Sequence, residues 1–580
     1  MKKINLTLVA MLLIAAQAIG QMKSRPAKPA GTPKINMENL SPVTPIAPAI
    51  PPGSQPDFGA KGFRSLPTLP KPVSGQPGLQ AFISPETGTP YLIKGELAAD
   101  QSKAIGQQVA EYLEVNKTVL KLENPTQELP VQRTETDELG IQHIRLQQQW
   151  MGVPVYGAEA ILHEKDGKFY LFNGRFYQSP KLSDVTPSIA AQAAEQTALN
   201  HVGTLEKVKP LTASDLHLVN ATQQATAELV IFYPEKNAPH LAWHVTVVPN
   251  ITARYSYFVD AETGEILNHH TELCKIAGHF HGARQFGSEQ LAAENEQPSI
   301  DCQLLVPLGP TGELANLNMP PLDGPATANA TDLLGQTRTI DTYKVGNPYY
   351  LINGAETMFN AQQSSFPNDP VGVIWTIDAE NTSPENDDFG AVHLTSNNNS
   401  WNNPKAVSAH YHAQKAYDYY KNTFSRNSIN GQGGNVLSII NVVESDGSQM
   451  DNAFWTGSFM CYGNGNDAFT APLQKALDVS GHEMSHGVIQ ETANLEYLNE
   501  SGALNESFAD VFGAMIDRDD WQMGEDVTNS QYFPTGALRD LSNPHNGGSS
   551  LNDNGWQPAH VSEIYNGNED NGGVHINSGI

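Results

Sequence analysis

The sequence predicts an α+β protein made of several domain-sized units. Three observations carry this expectation. The 580 residues are 39% hydrophobic and 17% charged, enough apolar material for packed cores and too little charge for wholesale disorder. Strand and helix patterns alternate from about Leu79 to Leu267. Two further helical patterns lie close together between Asp478 and Gly513. At roughly 150 residues per domain, the length suggests about four units. With 34 basic and 62 acidic residues the net charge is −28, and such a surface repels the phosphates of nucleic acid. Cys274, Cys302 and Cys461 are too few for a disulfide scaffold.

The first segment, 1–20, opens with Lys2 and Lys3, followed by an apolar run from Leu6 to Ala18. That run is shorter than the roughly 20 residues a bilayer span needs, and small residues follow it, so it reads as a signal peptide on an exported protein. The stretch 21–78 holds 13 of the 39 prolines, all between Pro26 and Pro77. Proline fixes φ and removes backbone donors, which makes this a linker or spacer.

Next comes a mixed strand and helix region. Residues 141–150 alternate apolar and polar as a half-buried strand does. Residues 158–163 run through Lys165-Asp-Gly-Lys168 into 169–172, a hairpin signal. The alanine-rich 189–201 suits a helix. Strands then read at 229–233, 241–248 and 255–259, ending in the turn 260–264. Clustered catalytic residue types are missing here, so composition gives a structural or binding region. Between Thr271 and Gly324 the signal is weak. Cys274 and Cys302 could pair in an oxidising compartment, and Cys461 reads as a small core residue.

The strongest chemical signal is Asp478-Val-Ser-Gly-His482-Glu483-Met484-Ser485-His486. Histidines at i and i+4 share a helix face and can point at one metal ion. Imidazole nitrogen suits zinc, and a glutamate beside the first histidine can act as base on metal-activated water. A catalytic zinc needs a third protein ligand. The helical spacing of Leu504, Phe508, Val511 and Phe512 places Glu506 near the start of a second helix. Asp510, one turn on, can accept the free N–H of a ligating histidine.

These motifs resemble those of the thermolysin-like zinc metallopeptidases, across roughly Thr327 to Ile580. The resemblance includes Ala409-His-Tyr-His-Ala413, Tyr417-Asp-Tyr-Tyr-Lys-Asn422, Asn452-Ala-Phe-Trp455 and the closing Asp570-Asn-Gly-Gly-Val-His575-Ile-Asn-Ser-Gly-Ile580. It implies a zincin catalytic unit, with a β-rich N-lobe at 327–477 and the zinc-binding helices with a partial helical C-lobe at 478–580. The preceding region resembles the family's propeptide, an FTP-type segment at 79–180 followed by a PepSY-type one at 181–270, with 271–326 a junction of uncertain role. Such a propeptide assists folding and inhibits the enzyme until removed. Family members continue past the position of Ile580, so the resemblance implies a chain truncated at its C-terminus. Apolar helices lacking that continuation would expose a patch.

Roles follow from the resemblance. His482, His486 and Glu506 would hold one zinc ion, Glu483 would be the base, and Tyr497 and His575 would stabilise the oxyanion. Asp570 would orient His575 and Asp510 would support His482. Asn452 and Arg539 would bind substrate backbone, while Leu538 and Val479 would line the pocket for a bulky apolar residue just after the cut bond. Asp478, Asp517, Asp519, Asp520 and Glu525 form a carboxylate cluster suited to hard cations, matching positions that hold one or two structural calcium ions in the family. The implied protein is a secreted, monomeric neutral endopeptidase made as a zymogen. Its partners would be polypeptide substrates and its own propeptide, with no nucleic acid and no membrane after signal removal. Two other classes stand beside it: a catalytically inactive protease-like binding or adhesion protein, and a zinc hydrolase of non-peptide bonds.

Overall fold

The computed structural model describes residues 78–580 except 138, 236–237, 277–322 and 387–388. The expected signal peptide, nearly all of the expected proline-rich linker and Cys302 therefore lie outside the described residues.

The N-terminal part is built on one ten-stranded sheet. Its strands are β1 (Gln80–Ile83), β2 (Pro90–Ala98), β3 (Val131–Thr136), β4 (Gln142–Trp150), β5 (Val153–Lys165), β6 (Lys168–Arg175), β7 (Ala225–Glu235), β8 (Ala238–Asn250), β9 (Ala253–Asp260) and β10 (Ile266–Thr271). The order β1-β2-β6-β5-β7-β8-β9-β10, with β3 and β4 branching from β5, makes two antiparallel halves. They meet at one parallel pair, Val155 with Ile231. In the outer half, α1 (Ile105–Val115) buries Val109, Tyr112 and Leu113 against Ile144, Leu146, Leu162, Phe169 and Phe172. In the inner half, α2 (Ala191–Val202) sets Ala194, Ala198 and Val202 at i, i+4 and i+8 against Val245, Val247, Tyr257 and Val259. The strands and helix expected at 141–172 and 189–259 fall on these elements to within one or two residues, β4 starting at Gln142 and α2 at Ala191.

A short strand, β11 (Cys274–Lys275), leaves this sheet and joins the C-terminal part. There β12 (Gly324–Thr331), β13 (Thr337–Lys344), β14 (Tyr349–Tyr350) and a later strand, β18 (Thr395–Ser396), form a four-stranded sheet. A seven-stranded sheet has the order β11-β20-β21-β19-β16-β15. It comprises β15 (Ile352–Asn353), β16 (Ile374–Asp378), β17 (Val392–His393, on β16), β19 (Val436–Val442), β20 (Ala453–Trp455) and β21 (Met460–Gly463) together with β11. A 21-residue helix, α3 (Pro404–Phe424), begins with proline in its first turn and an Asn403 side chain accepting from Ala406 N. Ala406, Ala409, Ala413 and Ala416 let it pack closely into the core. This helix was absent from the sequence reading, because burial around most of its circumference erases the apolar stripe that marks a surface helix.

The two chemistry-bearing helices are α4 (Leu477–Gln490) and α5 (Asn499–Asp517). Phe508, Phe512 and Met515 of α5 pack on Tyr419, Tyr420, Val488 and Ile489. The expected exposed patch is not seen among the described residues, where no large hydrophobic side chain of α4 or α5 is exposed and Leu504, Val511 and Ile516 are partly buried against the same cluster. Beyond Asp517 the chain is mostly turns, with one small hairpin of β22 (Gln522–Met523) and β23 (Arg539–Asp540).

The N-terminal part docks on the C-terminal part through a shared apolar cluster. Val219 and Val248 pack with Ile377, Leu437, Ile439, Phe454, Phe459 and the fully buried Cys461.

Candidate metal centre

The site depends on how closely α4 and α5 approach. A Cβ on Gly513 would stand 2.6 Å from Asp478 O and 3.2 Å from His482 N, and one on Gly481 would stand 3.3 Å from Gly513 Cα. Glycine at both crossing points lets the backbones touch. His482 and His486, one turn apart on α4, then face Glu506 on α5. Their Nε2 atoms are 2.9 Å apart, and each lies 3.4 Å from a Glu506 carboxylate oxygen. All the ligand atoms fall within 4.8 Å of one another, and among the described residues no other His, Cys, Asp and Glu group does so.

This donor set fits zinc. Two imidazole nitrogens and a carboxylate share one buried space, where their lone pairs repel unless a cation lies between them. A tetrahedral zinc with Zn–N of about 2.0–2.1 Å sets its nitrogens about 3.3 Å apart, close to the separations observed. Glu506 Oε2 and both oxygens of the adjacent Glu483 are buried without a hydrogen-bond partner in the protein, an arrangement costly without a compensating charge or water.

The imidazoles are oriented from behind. His482 Nδ1 lies 2.8 Å from Asp510 Oδ1, and Asp510 is gripped by Arg539 through Nε at 2.8 Å and Nη2 at 2.6 Å. His486 Nδ1 lies 2.8 Å from Asn505 Oδ1, and Asn505 Nδ2 donates to Leu495 O at 3.2 Å. The Asn505 contact holds a proton on His486 Nδ1, and the Asp510 carboxylate beside His482 Nδ1, close but not aligned as a hydrogen bond, favours the same tautomer there by charge, so both Nε2 lone pairs can face the candidate metal position. Asn505 was not among the expected residues; its adjacency to Glu506 was the only signal, and a polar helix residue is too common for that to count.

Burial, then the His482 imidazole, hold His486 well below its usual pKa, so it stays neutral as a ligand must. Burial, reinforced by the Glu506 charge, raises the Glu483 carboxyl well above the usual range, making it a willing proton acceptor. Burial alone would raise Asp510; Arg539 and His482 overcome it and keep the carboxylate ionised.

Opposite the helices stand two donors. Tyr497 OH is 2.5 Å from Glu506 Oε1 and 3.1 Å from His575 Nε2. Burial pushes the phenol well above 10, so it keeps its proton. His575 Nδ1 is 2.6 Å from Asp570 Oδ1, and Asp570 Oδ2 accepts His575 N at 2.7 Å. Burial would lower His575, but the Glu506 and Asp570 charges outweigh it and lift the imidazole to about 9.

The cleft between helices and donors holds a strand of the chain itself. β11 lies antiparallel on β20, pairing Cys274 with Trp455 and Lys275 with Phe454, and Ile276 N donates to Ala453 O at 3.0 Å. Cys274–Ile276, in the stretch expected to be a junction, thus sits beside the candidate metal centre, a placement that no local sequence pattern announces. Arg539 Nη1 donates to Ile276 O at 2.7 Å. Val479 and Leu538 flank Gly524 and share an apolar cluster with the fully buried Ile276. Asn452 stands just before β20 with its Oδ1 buried and unpartnered.

The acidic cluster is looser. Asp478 accepts Val479 N at 2.8 Å and Gly524 N at 2.5 Å, and burial with the Glu525 and Asp517 charges raises its carboxyl. Burial and acidic neighbours lift Asp517 to about 6 and Glu525 to about 7. Asp526, absent from the sequence reading, belongs to the same field. Asp519 and Asp520 are exposed.

Among known families, the model of the thermolysin metallopeptidase catalytic domain matches residues 327–490, that of the thermolysin metallopeptidase alpha-helical domain matches 493–580, and that of the fungalysin/thermolysin propeptide motif matches 127–176. Bacillolysin of Brevibacillus brevis is 30% identical over 538 residues, covering 90% of this chain and 82% of that protein. Bacillolysin of Bacillus subtilis (strain 168) is 32% identical over 517 residues, covering 87% and 83%. Among solved structures, the precursor of protealysin, a metalloproteinase from Serratia proteamaculans, is 30% identical, covering 38% of this chain and 68% of that one with a TM-score of 0.32.

Proposed function

The chain belongs to the thermolysin family of metallopeptidases, and on that premise we propose a secreted neutral endopeptidase that cuts before bulky apolar residues. It is a zinc metalloendopeptidase with a propeptide motif, made as a zymogen. The observation that carries the finer reading is a peptide strand lying on β20 beside the convergent His482, His486 and Glu506.

In this proposal His482, His486 and Glu506 hold the zinc ion. When bound, zinc acts as a Lewis acid, drawing the pKa of a water toward about 7 and polarising a carbonyl. Glu483 takes the proton of the attacking water and passes it to the leaving nitrogen. Tyr497 and His575 donate to the carbonyl oxygen as it gains charge, a contribution worth about 3–4 kcal/mol per donor in comparable sites. Asp570 keeps the His575 proton on the side facing substrate. Arg539 and the Ala453 carbonyl fix the residue after the cut, Asn452 adds backbone binding, and Val479 and Leu538 receive its side chain.

The carboxylates Asp478, Asp517, Asp519, Asp520 and Glu525 are proposed to bind structural calcium. Supporting this, burial with the Glu525 and Asp517 charges raises Asp478, and burial with the neighbouring aspartates raises Asp517 and Glu525, a concentration of negative charge that a divalent cation would relieve. Export rests on the leader at 1–20, and the segment boundaries given above belong to the same proposal. Among the described residues no helix is long and apolar enough to cross a membrane.

The test is direct. Prosegment-freed protein should hydrolyse casein, lose this with a zinc chelator, and lose it in Glu483→Gln while that variant keeps about one zinc per chain by elemental analysis. A Glu483→Gln variant as active as the parent would defeat the proposal.

A further inference from the structure

We infer that Lys275–Ile276 is the peptide bond this centre cuts in its own chain. The inference deepens the peptidase reading and rests on it, naming one substrate bond that the sequence left anywhere in 271–326.

The register of the cleft strand selects the bond. Lys275 O lies 2.6 Å from His575 Nε2, the donor assigned to the carbonyl under attack. Tyr497 OH, 3.1 Å from the same Nε2, accepts from Lys275 N at 3.5 Å and donates to Glu506 Oε1, which ties the strand to the metal-side carboxylate. Ile276 N donates to Ala453 O and Ile276 O accepts from Arg539 Nη1, which anchors the residue on the leaving side. Arg539 is in turn fixed by its two-pronged pairing with Asp510. The Ile276 side chain is fully buried in the cluster that contains Val479 and Leu538, whereas Lys275 is exposed.

Neighbouring bonds fit worse. Cutting at Cys274–Lys275 would require the Lys275 side chain in that apolar cluster, burying an ammonium without a partner. Cutting after Ile276 would require its carbonyl at His575, but that oxygen is held by Arg539. A strand register moves in steps that turn every side chain to the opposite face, so no small slip reaches either alternative.

The reaction is a hydrolysis. The water oxygen bonds to the Lys275 carbonyl carbon and the C–N bond breaks with its electron pair on nitrogen. Both water protons reach that nitrogen by way of Glu483, leaving a Lys275 carboxylate and an Ile276 ammonium. Because the strand is already seated by main-chain bonds, the step needs no encounter and should be intramolecular.

Freshly purified full chain should be followed in time by denaturing mass spectrometry and N-terminal sequencing. The first new N-terminus should be Ile276 and the complementary fragment should end at Lys275. The half-time should not change over about a hundredfold range of protein concentration. Glu483→Gln should remain one piece, and Ile276→Asp should slow this cut about 100-fold or more by placing a carboxylate in the apolar cluster. Lys275→Ala should still be cut at the same bond. A first cut elsewhere, or a rate that scales with concentration, overturns the inference. Casein hydrolysis in the same preparation separates the two ideas: chelator-sensitive casein cleavage with the wrong first cut refutes only this inference. Loss of both self-cutting and casein cleavage refutes the peptidase reading itself.

Discussion

Gly513→Ala should separate folding from metal binding. The new methyl would stand 2.6 Å from Asp478 O, and ordinary contact begins at 3.4 Å, so α5 must retreat from α4 by about 0.8 Å. Alanine gains about 1 kcal/mol of helix propensity over glycine, while overpacking costs about 1–3 kcal/mol. The net loss is therefore at most about 2 kcal/mol, a fall in Tm of a few degrees for a unit this size. The metal site is less forgiving, since ligand positions are useful only within about 0.2 Å. Glu506 lies two turns from Gly513, about 10.5 Å along α5, and moves with it. Zinc affinity, measured by competition with a chromogenic chelator, should fall about tenfold or more. Gly390→Ala, where a Cβ meets nothing within 4 Å, should change neither quantity. If Gly513→Ala binds zinc as the parent does, the close crossing is not what assembles the site.

Three further outcomes follow from the same geometry. Asp510→Asn leaves the buried Arg539 without its ionised partner; unfolding by urea should show a loss of about 3–5 kcal/mol, with zinc affinity down about 10–100-fold. His410 and His412 are buried and held near 4 and 3, chiefly by burial. Their folded values lie below the unfolded one, so their contribution is present above about pH 6.5 and lost as pH falls through 4. Acid unfolding followed by circular dichroism should show a loss on the order of 3 kcal/mol for His410, reduced in a His410→Gln variant. The raised Asp517 and Glu525 have the opposite sign. Their contribution is present below about pH 4 and lost as pH rises through 6 to 7, on the order of 2 kcal/mol after solvent screening. Chelator-treated protein should lose Tm across that window, and millimolar calcium should restore it; no response to calcium would remove the cation role.

What could be read from the sequence was what is local. The i and i+4 histidines, the helical spacing around Glu506, the alternation in β4, the hairpin of β5 and β6 and the strand runs of β7 to β9 are properties of short windows, and each window falls on the element observed to within a residue. What could not be read depends on partners distant along the chain. Nothing in Cys274-Lys275-Ile276 announces that it will pair with Ala453-Phe-Trp455. Asn505 becomes a histidine partner only once α4 lies across α5. The helix α3 hides because a segment buried on nearly every side carries no amphipathic period. Arg539 was expected to meet a substrate carbonyl, and it also clamps Asp510, a second duty invisible in its local motif.

The two halves of the ten-stranded sheet touch in their backbone ladder at one position, Val155 with Ile231. Cooperativity spreads through ladders, so a joint this narrow should make the halves separate opening units. The inner half carries the cleft strand and the apolar dock around Val248, and could stay in place while the outer half melts. Deprotection in hydrogen exchange should therefore reach β4 to β6 before β8 and β9, and the outer half would offer the first digestible loose end to an enzyme that has just been set free.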